Sequence, residues 1–121
     1  MRNIVSLLVA MCALAAPGVK VSVVSERGAG PAVQHGLKKL KLALQEKKVA
    51  FEEVAELKRA RGEIRIIAGL GAGAPESLAI QRMVRNGKPT LVVSGGDDRG
   101  LMYALLEVAE RIGWAADPSN P

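Results

Sequence analysis

Three pairs of carboxylates lie close together along the sequence: Asp97 and Asp98, Glu52 and Glu53, Glu107 and Glu110. Two carboxyl groups about 5–9.5 Å apart across a sugar, one of them holding its proton, are what glycoside hydrolysis needs. None of the three pairs offers that. Asp97 and Asp98 open a predicted helix, whose positive end favours ionised carboxylates over a proton-holding acid. Glu52 and Glu53 are neighbours on a predicted strand and project to opposite faces. Glu107 and Glu110 fall on the solvent side of the last helix, where Glu107 and Arg111 have the i, i+4 spacing of an ion pair. Ser25, Ser77 and Ser94 have no base within a recognisable motif. His35 is the only histidine, with no second His or Cys beside it to share a metal. The expected catalytic, cofactor-binding and metal-binding sets are empty, and no cofactor is implied.

Glycine loops are the other chemical candidates. Gly69, Gly71 and Ala74 satisfy a G-x-G-x-x-A pattern directly after a predicted strand, and Gly95–Gly100 contains a second glycine turn. Either could cradle phosphate, which defines the alternative function: a small phosphate- or nucleotide-binding α/β module using the Gly69–Ala74 loop. That alternative needs a helix N-terminus immediately after the loop, because free N–H groups hold the pyrophosphate. The sequence points elsewhere. Leu78, Ile80 and Val84 alternate like a strand, and Asn86-Gly87 is a type I′ hairpin signal ahead of PTLVV.

The elements that must position these residues follow from periodicity. Val19–Ser25 alternates and is rich in β-branched residues, so it reads as the first strand. Pro31 suits a helix start, and Val33, Leu37, Leu40 and Leu44 form one stripe through Lys48. Lys38, Lys39 and His35 lie off that stripe, and Leu42 points the opposite way with no evident partner. Val49–Val54 is a weak second strand, Ala55–Arg61 a charged connector and Glu63–Ala68 a third strand. Leu91–Val93 precedes the most clearly marked helix, Asp97 to Trp114, with Leu101, Leu105, Val108 and Ile112 on its apolar stripe. Asp97 suits the N-cap, while Gly113 and Trp114 suit a Schellman stop. The expected fold is α/β (α+β): a mixed sheet of about five strands covered by two main helices.

The string GGDDRGLMYALLEVAERIGW resembles the G-x-D-x-R-G-x-x-Y-G-x-x-x-x-x-E motif that closes the N-terminal accessory domain of some glycoside hydrolases, α-glucuronidases and β-hexosaminidases among them. Gly96, Asp98, Arg99, Gly100, Tyr103 and Glu110 are taken as the matches, with Gly95 and Asp97 completing the turn. Ala104 stands where the family has glycine, implying a wider packing distance there. The resemblance extends over roughly Val19 to Trp114 and implies a hexosaminidase accessory-domain-like fold. It also implies a non-catalytic role beside a catalytic glycoside hydrolase barrel that these residues do not include. Arg99 is expected to fix the turn and Tyr103 to anchor it or a domain boundary. Met102 and Leu106, with Ala109, widen the apolar arc of the helix beyond what one sheet contact needs. They are the expected domain interface, and through them the isolated domain is expected to self-associate.

One Phe, one Tyr and one Trp leave no set of rings on which a nucleic acid or sugar chain could stack. The net charge of +5 reads as a solvated surface, and no nucleic-acid partner is expected. Arg2, the apolar run Ile4–Ala16 and Ala13-Leu14-Ala15 have the layout of a signal peptide, residues 1–16, which would make the protein secreted or periplasmic. The run is shorter than the ~20 residues that span a bilayer, so no membrane association is expected beyond this segment. Cys12, the only cysteine, lies within it. Ala115–Pro121 reads as a linker or a truncated end.

Overall fold

The computed structural model describes residues 18–121; the segment expected to be a signal peptide, with Cys12, lies outside the described residues. Five strands form one sheet: β1 (Val21–Ser25), β2 (Phe51–Val54), β3 (Ile64–Leu70), β4 (Leu78–Arg85) and β5 (Lys88–Gly95). Their spatial order is β2-β1-β3-β5-β4. The first four in that order run parallel, and β4 closes the far edge antiparallel to β5. The hairpin turns at Asn86 and Gly87, with φ of 51° and 74°, as a two-residue type I′ turn requires. Helices α1 (Pro31–Glu46) and α2 (Asp98–Trp114) complete the mixed α/β domain expected from the sequence.

Both helices lie on one face. The register aligns Val21, Ile64 and Phe51 in one row, with Val23, Ile66 and Leu91 in the next. These side chains meet Val33, Leu37, Leu40 and Leu44 of α1 and Leu101, Leu105, Val108 and Ile112 of α2 in a single core. The two stripes read from the sequence are thus the buried faces, and Leu42 is exposed as its position demands. The helices also pack against each other. A Cβ on Gly36 would stand 2.9 Å from Leu105 Cβ and 3.3 Å from the Met102 Cα, so this glycine of α1 permits the close approach. Ala104, where the related motif has glycine, is fully buried.

The helix ends differ from expectation. α2 continues through Gly113 and Trp114; Ala115 is extended (φ −67°, ψ 147°), and its N–H donates to the Arg111 carbonyl at 2.7 Å. No left-handed residue ends this helix, and Trp114 is 68% exposed, so the expected Schellman stop is absent. The motif occurs instead on α1. Lys48 takes φ 58°, its N–H donates to Gln45 O, and the Val49 N–H reaches back to Leu44 O. The chain must reverse there to enter β2. After α2 it runs on into a docked tail, where Ser119 is buried and Arg82 donates to Asn120 Oδ1 and to the Pro121 carbonyl.

Candidate functional site

The sequence candidates converge where β5 ends and α2 begins. Asp97 is extended and caps α2: its Oδ1 accepts the Gly100 N–H at 2.8 Å and the Glu76 N–H at 3.0 Å. Those two bonds hold its pKa below the ordinary aspartate value. Asp98 points elsewhere. A Cβ on Gly30, the N-cap of α1, would stand 2.6 Å from Asp98 Oδ2, so this carboxylate lies against the start of the other helix. An anion there faces the positive end of α1, which has no side-chain cap of its own. The two aspartates therefore serve two different helix termini. Counted back from Arg99, the G-x-D-x-R spacing falls on Gly95 and Asp97, correcting the assignment to Gly96 and Asp98.

The glycines of the turn are steric requirements. On Gly96 a Cβ would overlap the Ala74 carbonyl oxygen and come within 2.6 Å of Ser77 Oγ. On Gly95 it would overlap the backbone of Leu101. On Gly100 it would overlap the Ser77 carbonyl oxygen and stand 3.1 Å from the Glu76 and Ser77 carbonyl carbons. Gly96 and Gly100 allow the segment Gly71–Ser77 to lie directly on the first turn of α2, and Gly95 lets that turn fold back on the end of β5. The Gly96 N–H donates to Ser77 O at 2.9 Å, and the Gly71 N–H donates to Gly95 O at 2.8 Å. Arg99, expected to fix the turn, reaches Glu76 at 3.8 Å in a weak, exposed ion pair across the loop. Glu76 holds φ 62°, a left-handed conformation sustained by its bond to Asp97.

This geometry removes the support for the phosphate alternative. Gly69–Ala74 leads into strand β4, so no helix N-terminus follows it. At Gly95–Gly100 the helix N-terminus is already occupied by Asp97. The other motif residues do not join a site: Tyr103 is 41% exposed and Glu110 is exposed. Met102 and Leu106 are half-buried on α2. The carboxylate pairs remain apart in function. Glu53 bonds Lys41 of α1 at 2.9 Å, Glu52 points to the opposite face, and Glu107 pairs with Arg111 at 3.2 Å. Glu52, Asp97 and Asp117 are all held below ordinary carboxylate values, the wrong direction for a general acid. No group of three metal-ligating side chains occurs among the described residues.

A second polar cluster escaped the sequence reading. Ser22, fully buried, donates to Glu52 Oε2 at 2.6 Å and accepts the Gly62 N–H at 2.7 Å. Glu52 also accepts from the Arg61 backbone N–H and from Arg61 Nε. Burial opposes ionisation of Glu52, but these hydrogen bonds and the Arg61 charge outweigh it and lower its pKa. The cluster ties the connector after β2 onto the sheet face opposite the helices. Alternation alone placed Ser22 on that face; nothing local indicated that it is buried.

The fold and its turn define a small open-sheet α/β domain whose glycine-aspartate motif holds a helix start to a loop. No family model and no curated protein matches the sequence. Among solved structures, the chain is similar to part of a GH138 enzyme targeting pectin rhamnogalacturonan II, with TM-score 0.61 and 22% sequence identity. The match covers 82% of this chain and 11% of that one, so the chain spans a small fraction of the enzyme it resembles. The shared feature is the fold.

Proposed function

We propose that this chain is a non-catalytic accessory domain of a carbohydrate-processing glycoside hydrolase, supporting or orienting a catalytic barrel. The observation that carries it is the fold shared with a segment of a glycoside hydrolase that targets a pectic polysaccharide. The turn motif adds support, since its glycines and aspartates all serve packing and capping rather than chemistry. The α-glucuronidase-like or hexosaminidase-like affiliation rests on the motif GGDDRGLMYALLEVAERIGW. Secretion or periplasmic export rests on the signal-like segment 1–16. Met102 and Leu106 are the proposed contact with the barrel.

Two measurements test this function. The purified chain is expected to hydrolyse no aryl glycoside; turnover that disappears in Asp98→Asn would overturn the non-catalytic role. The native protein, captured with an antibody to this domain and weighed intact, is expected to carry a catalytic barrel in the same polypeptide or in a stable complex. A native product consisting of this domain alone would count against the accessory role.

A further inference from the structure

The faces and edges of the sheet are closed to different degrees. On the face opposite the helices, Ser22, Val24, Arg65 and Thr90 are all buried. At one edge, β2 is only four residues long, and its acids Glu52 and Glu53 are bound to Arg61 and Lys41. Short, charged edge strands of this kind resist further pairing. The other edge is different. β4 runs for eight residues without proline, and all of them but Ile80 are exposed. Leu78 is 47%, Met83 38% and Val84 73% exposed. Its register with β5 is unbroken from Leu78 to Arg85, so no bulge turns the strand away. Alternate residues of such a strand direct N–H and C=O groups outward, and among the described residues no other segment's backbone bonds to them. The hairpin also carries one sign of charge. Residues 78–95 include Arg82, Arg85 and Lys88 and neither Asp nor Glu. None of the three is in an ion pair among the described residues.

We propose that the outer edge of β4 accepts an extended, acidic segment of another protein as an added strand. Main-chain bonds to the outward N–H and C=O groups supply the attachment. Apolar side chains of the segment cover Leu78, Met83 and Val84, and its carboxylates face Arg82 and Arg85. A second copy fits less well. A twofold axis through the sheet pairs residues of the same face. Within β4, Arg82 would then meet Leu78, Ile80, Val84 or another Arg82, and Arg85 would meet Ala79, Gln81, Met83 or another Arg85. No such register offers an acid, and the arginines of the two copies repel. The charges that keep copies apart select a strand of opposite sign. This inference does not depend on the accessory role.

Two synthetic octapeptides, one alternating Glu and Val and the other Lys and Val, test the proposal on the whole chain by NMR at neutral pH. The Glu–Val peptide should bind, shift the amide resonances of β4 and slow hydrogen exchange at alternate β4 residues, whereas the Lys–Val peptide should do none of these. N-methylation of every peptide amide removes the donors and keeps the charge, and it should abolish the protection of β4. Arg85→Glu, a change at an exposed site, should weaken binding of the Glu–Val peptide about tenfold. Absence of binding, shifts confined to the lysines of α1, or equal protection by the N-methylated or the Lys–Val peptide would overturn the proposal. So would β4 amides of the free chain that become protected as chain concentration rises, which would assign the edge to a second copy.

Discussion

Gly100→Ala isolates the close packing on which the turn depends. A Cβ at Gly100 would overlap the Ser77 carbonyl oxygen and stand 3.1 Å from two carbonyl carbons, where unstrained carbon contacts need about 3.5–4.0 Å. The loop must retreat by about 1 Å to restore a normal contact, and the same Ser77 oxygen accepts the Gly96 N–H at 2.9 Å. Overpacking of this kind costs about 1–3 kcal/mol, and weakening one hydrogen bond adds about 0.5–1.5 kcal/mol. The gain in helix propensity from glycine to alanine returns at most about 1 kcal/mol in the first turn of α2. The net expectation is a loss of about 1–3 kcal/mol, a fall of at least ~5 °C in melting temperature for a domain of this size. Gly71→Ala is the control. Its Cβ would meet Ser94 at 3.4 Å, an ordinary contact, so its midpoint should stay close to that of the wild type. Urea and thermal unfolding of the three proteins by circular dichroism would measure the difference. A Gly100→Ala midpoint equal to or above that of Gly71→Ala would refute the steric account of the motif.

Gly113→Ala should stabilise the domain by up to about 1 kcal/mol, because Gly113 is helical and a Cβ there meets nothing within 4 Å; a lower melting temperature would restore the Schellman stop. Lys48→Gly should raise stability by about 0.5–1 kcal/mol in urea titrations by relieving the left-handed strain at φ 58°. Asp97 has a folded-state pKa below its unfolded value, so its ionised form stabilises the fold above about pH 4, and that contribution fades as pH falls further. Asp97→Asn should therefore melt below wild type at pH 7, with the gap closing towards pH 3; a gap independent of pH would place the effect in geometry instead of charge. In analytical ultracentrifugation the wild type should form dimers or larger species that Leu106→Glu returns to folded monomer. A Leu106→Glu chain that unfolds would assign that residue to the domain's own core.

The sequence by itself determined those features whose physical cause is local. Apolar spacing of 3.6 residues marked the buried stripes of α1 and α2, and alternation marked β1 and β3. Asn86-Gly87 identified the hairpin because few other residues tolerate positive φ at both positions, and Asp97 identified a cap because its carboxylate reaches the N–H groups of its own first turn. The site chemistry needed the tertiary structure. Asp97 and Asp98 are adjacent and chemically alike, yet one caps α2 and the other lies at α1, an assignment made only when the helices pack side by side. Nothing local to Gly100 reveals which atom its missing side chain avoids; that atom belongs to Ser77, brought there by the return of β4 along β5. Gly113 and Lys48 exchange the roles that composition suggests, because a helix ends where the following chain must go: back to β2 in one case, onward to a docked tail in the other. Burial of Ser22 and Arg65 was equally invisible in the sequence. Alternation assigns a residue to a face, and only the assembled sheet with its connector decides whether that face meets water.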